Sequence, residues 1–283
     1  MRFVYACDVH GDEDKYHKLL SICKREKIEY IVLGGDIYPK NGDRAVIQIE
    51  FIKNGLKEFF DELKKGNIKC ILIPGNDDLE NYDDDLKNLC DKYENVYNID
   101  RAKTDIEDVC FIGLPDVLDN PFRRKNRVLM EEGLELEPQR SEEIFIEKGT
   151  KIITVEEWAK YRQTSVAKME DVLRELPKPD KAKKSIYVLH DPPYGIGLDC
   201  CAIGKCVGSK AIVQFVKENN IYMTLHGHIH ESYKESGKWK EHIGNTICIQ
   251  PGQTELGEEK MTYVIVDTDL NVQNRFEVKV KEE

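Results

Sequence analysis

Residues 30–36 read Tyr30-Ile31-Val32-Leu33-Gly34-Gly35-Asp36, a short β-rich apolar run that stops at two glycines and a carboxylate. The same design stands on either side of it. Upstream, Arg2–Cys7 is a β-rich run leading into Asp8-Val9-His10; downstream, Lys69–Ile73 ends in Pro74-Gly75-Asn76-Asp77-Asp78. Between these runs the apolar period lengthens. Tyr16, Leu19, Leu20 and Cys23 stand at i, i+3, i+4 and i+7, and Ile52, Leu56, Phe59, Phe60 and Leu63 mark a second amphipathic helix. Strand–helix alternation predicts an α/β fold with right-handed crossovers and a largely parallel sheet. In each unit the polar residues follow the strand directly, at the carboxyl edge where open α/β sheets build their sites.

Val109–Leu114 and Ser185–Leu189 are further predicted strands, the second running into His190-Asp191-Pro192-Pro193-Tyr194. Ser209 caps a helix through Ile212, Phe215 and Val216, and Ile221–Leu225 is a strand entering His226-Gly227-His228-Ile229-His230. Three β-rich runs follow, Thr246–Ile249, Met261–Val266 and Val272–Val280. Residues 116–150 are highly charged and carry no clear period. Thr154-Val155-Glu156-Glu157 is a capping-box pattern. It opens one helix from Val155 to Leu176, with an apolar stripe through Trp158, Met169 and Leu173. Pro177 stops that helix, and 177–184 is a Lys/Pro-rich loop. With no repeat and no low-complexity linker, one domain over residues 1–283 with an insertion at about 116–180 is the simplest organisation.

The 283 residues carry 42 Lys+Arg against 53 Asp+Glu, a formal net charge of −11. An acidic chain without a basic run has no electrostatic means of coating nucleic acid, so stable nucleic-acid binding is not expected. A small phosphate ester remains open as a ligand, because metal ions supply positive charge that composition does not count. No stretch approaches the roughly 20 apolar residues of a membrane span, and Met1–Asp8 does not read as a targeting signal. The nine cysteines are scattered without a CxxC pair, which predicts free thiols in a reducing cytoplasm. Cys200, Cys201 and Cys206 lack an established metal spacing. Gly204–Lys210 has P-loop composition but not the P-loop order.

Four of the seven histidines, with strand-end Asp and Asn residues, fall at five places: Asp8-Val9-His10, Gly35-Asp36, Gly75-Asn76, His190 and Gly227-His228-Ile229-His230. All follow predicted strands. Two Asp, one Asn and four His make a mixed oxygen and nitrogen donor set, which suits Mn²⁺, Fe or Zn²⁺. Seven donors exceed what one ion with an open position accepts, but they fit two ions sharing a carboxylate. Two ions about 3.5–4 Å apart can clamp both the attacking and the leaving oxygen of an in-line phosphoryl displacement. The expected reaction is hydrolysis of a phosphate ester.

Taken in order, these motifs resemble those of the calcineurin-like metallophosphoesterases, DxH, GD, GN(H), H and GHxH. The resemblance covers residues 8–230 and extends to the strand-rich tail. It implies a two-sheet β-sandwich flanked by helices, a four-layer α/β/β/α fold with a dinuclear site on its carboxyl edge. It also implies that Asp8, His10 and His230 hold one metal and Asn76, His190 and His228 the other, with Asp36 bridging. A metal-bound hydroxide would then be the nucleophile. Many relatives place a histidine after the Asn, where it assists the leaving oxygen; here Asp77 occupies that catalytic position. Members without this histidine are phosphodiesterases or take unusual substrates, so a phosphodiesterase is favoured over a phosphomonoesterase. The GDxxD extension of protein phosphatases is absent, since the run is Gly35-Asp36-Ile37-Tyr38-Pro39. A catalytically weak or inactive metal-binding scaffold, acting through protein–protein contacts, is the alternative.

Several residues admit two readings. His226 is a hydrogen-bonded core histidine or one that supports a metal ligand from behind. Asp77 and Asp78 cap the following helix or meet substrate. Tyr194 belongs to a rigid Pro192-Pro193 turn or lines the pocket. Arg123, Arg124 and Arg127 form a solvated face or reach a phosphate from a cap built by the 116–180 insertion, with small, nucleotide-sized phosphoesters as substrates. A dimerisation arm would bury the same helix stripe, and the oligomeric state is left open.

Overall fold

The computed structural model describes residues 1–179, 182–202, 204–254 and 259–281. Its amino-terminal part alternates as predicted. β1 (Arg2–Ala6) leads to α1 (Glu13–Glu26) and β2 (Tyr30–Gly34). A long helix then runs through α2 (Arg44–Phe51), a π-helical turn at Ile52–Leu56 and α3 (Lys57–Lys65). β3 (Lys69–Ile73), α4 (Asp83–Cys90) and β4 (Val96–Asn98) complete this part. The middle supplies β5 (Lys103–Ile106), β6 (Val109–Leu114), the short pair β7 (Val117–Leu118) and β8 (Val128–Leu129), and the hairpin β9 (Glu143–Ile146) and β10 (Lys151–Thr154). Two helices follow, α5 (Val155–Ser165) and α6 (Met169–Glu175). The remainder is β11 (Lys184–Leu189), α7 (Lys210–Glu218), β12 (Met223–Leu225), α8 (Ser232–Ser236), β13 (Lys240–Ile243), β14 (Thr246–Ile249), β15 (Lys260–Asp267) and β16 (Val272–Lys279).

Two six-stranded sheets result, in the orders β16-β15-β1-β2-β3-β4 and β13-β14-β12-β11-β6-β5. The strands that precede the motifs are parallel neighbours, and antiparallel strands close three of the four edges, β4 being parallel to β3. Period-two alternation sends Phe3 and Tyr5 of β1 between the sheets and Val4 and Ala6 toward the helices. Phe3 meets Phe111 of the opposite sheet edge-on, with ring centroids 5.9 Å apart. Leu19, Phe59 and Phe60 cover the outer face of the first sheet, and Leu173, Ile212 and Phe215 that of the second. The layering is the expected α/β/β/α sandwich. Among the described residues no helix is long and apolar enough to cross a membrane.

One expectation is corrected. The helix predicted from Val155 to Leu176 is two helices, because Val166 is extended and the chain at 167–169 pairs with Met130 instead of continuing the helical ladder. The Met130 N–H donates to Ala167 at 2.8 Å, and the Met169 N–H donates to Met130 at 2.7 Å. The stripe therefore splits. Trp158 packs on Ile144 and Ile146 of the hairpin, whereas Met169 and Leu173 join the outer core of the second sheet. Both halves are buried within this chain, so no partner is needed to cover them. Asp180 and Lys181 of the predicted Lys/Pro-rich loop lie outside the described residues.

A buried charge cluster fixes the hairpin and α5. Asp119 accepts from Trp158 Nε1 at 3.1 Å and pairs with Arg162 at 2.5 Å and Lys125 at 2.9 Å. Removing one member of such a cluster strands the others without compensation. Asp119→Ala is expected to destabilise the protein by about 3–5 kcal/mol, measured by urea denaturation, with the α5 amides losing hydrogen-exchange protection first.

Candidate metal centre

Three of the five motifs leave their strands through an unusual backbone. Asp8, His10, Asp36 and His228 all have left-handed φ, at 56°, 48°, 51° and 68°. L-residues adopt that region at a cost, and such strain persists where surrounding contacts enforce it. The enforcement is visible. The amides of Asp8, His10 and Gly11 donate to the carbonyls of Gly35, Asp36 and Ile37 at 2.9–3.0 Å, so the two loops stay paired beyond the end of the sheet. Gly35 and Gly75 permit the crowding that follows. A Cβ on Gly35 would lie 2.3 Å from His190 Nδ1, and one on Gly75 would lie 2.3 Å from both the amide nitrogen and Oδ1 of Asp36. Ring and carboxylate can approach only because those glycines lack a side chain.

The seven predicted donors converge. Asp8, His10, Asp36 and His230 each place one donor atom within 4.8 Å of the others. His10 Nε2 and His230 Nε2 are 3.1 Å apart, and His230 Nε2 is 3.6 Å from Asp8 Oδ1. A second group adjoins the first. His190 Nε2 lies 3.2 Å from Asn76 Oδ1 and 3.5 Å from Asp36 Oδ1, and its ring is 5.5 Å from that of His228. The Gly34 carbonyl, 2.8 Å from His190 Nδ1, can only accept, so Nδ1 carries the hydrogen and Nε2 faces the oxygens. Asp8 Oδ2 is buried with no hydrogen-bond partner. A ring nitrogen facing the oxygens of Asn76 and Asp36, with the Asp8 carboxylate beside it and one of its oxygens left without a hydrogen bond, makes a donor set that fits a divalent cation.

The electrostatics agree with that fit. Burial alone would raise Asp8 and Asp36, yet His230 and His190 beside Asp8, and His190 and His10 beside Asp36, hold both carboxyls below the usual carboxylate range. Burial would lower His190, but Asp36 and then Asp8 push it up to about 10. A nitrogen that keeps a proton so firmly marks a place where positive charge is favoured. His10 and His228 follow their burial down to about 3 and about 4, so they stay neutral, as ligation requires.

Around the donors, His226 is the buried, hydrogen-bonded histidine expected, whereas Asp77 and Asp78 depart from the capping reading. His226 touches none of the predicted donor side chains. Its Nδ1 donates to the carbonyls of Asp191 and Leu189 at 2.8 and 3.0 Å, which pins the backbone on both sides of His190, and burial holds it down at about 4. Neither Asp77 nor Asp78 caps the next helix. Asp77 pairs with Arg44 at 2.8 Å, while its amide donates to Asp36 Oδ1 at 2.8 Å. Burial, then the Asp36 charge, raises the Asp77 carboxyl, and Arg44 opposes them. Asp78 is fully buried and accepts from the amides of Ile37, Tyr38 and Gly75.

An open cleft of about 910 Å³ exposes Asp36, Asn76, His228 and His230 together with Asp77, Arg123 and Arg124. Phe122, Arg123, Arg124, Arg140 and Ser141 of the 116–180 segment wall it. Arg127 does not face it. That side chain is buried and paired with Asp83 and Asp100, because its backbone is drawn inward to Glu80. Tyr194 is outside the described lining of the cleft, where it is half-exposed under Lys210. Sequence reasoning missed three residues. Lys40 Nζ lies 3.1 Å from His10 Nε2, Arg44 holds Asp77, and Asn126 donates to the Asn76 and Asp78 carbonyls at 2.8 Å. None belongs to a motif. Asp199, Cys200 and Cys206 also bring one donor atom each within 4.8 Å of one another, away from any motif spacing.

The chain is 26% identical over 209 residues to MJ1162, an uncharacterised protein of Methanocaldococcus jannaschii, spanning 72% of this chain and 70% of that one. Among solved structures it is similar in fold to TT1561 of Thermus thermophilus, with 17% identity, a TM-score of 0.59 and 99% of both chains covered. It is also similar to a dimetal phosphatase of Danio rerio, with 12% identity, a TM-score of 0.53 and 99% of both chains covered. An archaeal phosphodiesterase shares 14% identity at a TM-score of 0.50, over 98% of this chain and 100% of that one. The calcineurin-like phosphoesterase model matches residues 1–232 and so takes in both sheets' motif strands and the last predicted donor, His230. On that match the chain belongs to the calcineurin-like phosphoesterase family.

Proposed function

We propose that the chain is a dinuclear-metal phosphodiesterase in which Asp8, His10 and His230 hold one ion, Asn76, His190 and His228 hold the other, and Asp36 bridges them. The family is dimetal-dependent and acts on small phosphoesters. The observation that carries the assignment is the division of the Asp36 carboxylate. Its Oδ2 faces His10 at 3.9 Å, while its Oδ1 faces His190 at 3.5 Å. When bound, two such ions supply Lewis-acid activation of water and neutralise charge on the phosphate, and the donor set suits Mn²⁺, Fe and Zn²⁺ alike.

The chain's own residues add position and charge. Lys40 and Arg44 bring positive charge to the rim of the cleft beside His10 and Asp77. Asp77 is engaged by the Arg44 guanidinium, so no histidine or free acid stands next to Asn76 to protonate a poor leaving group. A diester with an acidic leaving alcohol needs no strong donor. It also carries less charge than a monoester. The nine free thiols support a reducing, cytoplasmic setting for this reading. Mn²⁺-reconstituted protein is expected to hold two ions per chain and to hydrolyse bis(p-nitrophenyl) phosphate about tenfold or more faster than p-nitrophenyl phosphate, a preference of about 1.4 kcal/mol in barrier. A monoester preference overturns the diesterase assignment. No turnover of either ester, with a stoichiometric protein partner, returns the scaffold reading.

A further inference from the structure

Three arginines in the cleft have no carboxylate to answer them. Arg123, Arg124 and Arg140 line the same cleft as Asp36, Asn76 and His230, yet among the described residues none of the three forms an ion pair. This is not the habit of the neighbourhood. Arg127 is paired with Asp83 and Asp100, Arg162 with Asp119, and Arg101 with Asp116. The chain has 53 acidic residues against 42 basic ones, so unmatched guanidinium groups standing together run against its composition. Asp43 and Glu231 line the cleft as well; Asp43 acts on Arg124 at a distance, but among the described residues neither forms an ion pair with the three.

Aromatic rings hold the three guanidinium groups in place. Arg123 and Arg124 both stack on Phe145, each with its guanidinium carbon 5.2 Å from the ring centroid, and Arg140 stacks on Phe122 at 4.8 Å. A stacked guanidinium keeps its N–H edge free, and that planar fork matches a phosphate. Much of the entropy of ordering these long side chains is already lost before a ligand arrives. Burial, then the charges of Arg44 and Arg123, weakens the hold of Arg124 on its proton, and Asp43 only partly opposes them, which leaves a repulsion that an anion would relieve.

The charge count separates this cluster from the metal centre. On the reading proposed above, two divalent ions with Lys40 and Arg44 already meet the charge of a scissile phosphodiester. Three more cations on a different segment call for another anion. We propose that Arg123, Arg124 and Arg140 form a subsite for a second, non-scissile phosphoryl group, so that the substrate is a phosphodiester bearing at least one further phosphate. The inference rests on the phosphodiesterase reading for its scissile bond, but its anion site is measured separately.

Thymidine 5′-(p-nitrophenyl phosphate), with and without a 3′-phosphate, differs by that one group. The Mn²⁺-loaded protein is expected to show a KM about tenfold or more lower for the 3′-phosphorylated compound, the gain of one good charge-assisted contact. The Arg123→Ala/Arg124→Ala/Arg140→Ala variant loses this preference while keeping its rate on bis(p-nitrophenyl) phosphate within about threefold. The corresponding Lys variant, which retains charge but not the fork, keeps part of it and guards against a folding defect in the Ala variant. Equal KM values in the parent, or a preference that survives in the Ala variant, overturns the subsite. If no diester is hydrolysed, the phosphodiesterase reading fails alone, and titration calorimetry decides the subsite. There, thymidine 3′,5′-bisphosphate must bind about tenfold tighter than thymidine 5′-monophosphate to the parent but not to the Ala variant; equal binding rejects it.

Discussion

Asp36→Ala is expected to abolish the activity and both metal ions together. Asp36 divides its two oxygens between the donor groups, with Oδ2 toward His10 and Oδ1 toward His190, whereas Asp8 faces His230 and His190 through Oδ1 alone. It also accepts the Asp77 amide at 2.8 Å, which keeps the Asn76 loop against it. Losing a hydrogen-bonded partner behind a ligand costs 10–100-fold in affinity or activity. Losing a shared ligand should exceed that, so turnover of bis(p-nitrophenyl) phosphate is expected to fall by about 1,000-fold or more. Elemental analysis after Mn²⁺ loading should give less than one ion per chain. Cys201→Ser, by contrast, should change neither number, since the Cys201 Sγ donates to the Lys205 carbonyl and belongs to neither donor group. Retention of both ions by Asp36→Ala would refute the bridging role.

The largest effect on stability is expected at Asp78, which never meets solvent. Its Oδ2 accepts from Ile37 and Gly75 at 2.9 and 2.8 Å, and its Oδ1 accepts from Tyr38 at 2.7 Å. One side chain thus ties the loop after β2 to the loop after β3. Alanine leaves three buried N–H groups without acceptors. At about 1–3 kcal/mol for each unsatisfied group, Asp78→Ala should lose roughly 3–9 kcal/mol, out of a typical total of about 5–15 kcal/mol. Asparagine keeps one oxygen but turns an NH₂ toward an N–H, so it should recover less than half of the loss. Urea denaturation at neutral pH measures both. A loss below about 1 kcal/mol for the Ala variant would mean that other contacts hold the loops.

The strands that precede the donors could be read from the chain because burial on both faces leaves short, nearly continuous apolar runs. Lys69–Ile73 and Val109–Leu114 match their strands to the residue. Each run ends in residues that serve loops and not ladders, and that is where the donors sit. The two-sheet arrangement followed from family resemblance, and the return of the tail to the first sheet could not be read at all, because nothing in the spacing tells Met261–Val266 to pair with Arg2–Ala6. The break between α5 and α6 was hidden for a related reason. The backbone at 167–169 answers to Met130, nearly forty positions away, while the local apolar stripe runs on undisturbed.

Charges were the hardest to place. Arg123, Arg124 and Arg127 look alike in the sequence, yet two wall the cleft and one is buried on Asp83 and Asp100. Only the bridge between Arg124 and Phe145 and the pull of Glu80 on the Arg127 amide decide which goes where. Lys40 and Arg44 carry no motif at all. They reach His10 and Asp77 because the loop after Asp36 bends back over the sheet edge.

The place of β1 in its sheet sets a clock on biosynthesis. β1 is flanked by β2 on one side and by β15 on the other, with Val4 opposite both Ile31 and Ile265. Ile31 is made almost at once. Ile265 is not, and at about 5–20 residues per second roughly 13–50 s pass before it can emerge. Throughout that interval an apolar strand presents one row of unpaired amides and carbonyls to the cell, the kind of edge on which another chain can add. A nascent chain stalled after His230 would already carry every proposed metal donor and still lack the strand that covers this edge. Ribosome-bound intermediates of that length should therefore be the ones that recruit chaperones, and supplying residues 259–281 as a separate peptide should compete with that recruitment.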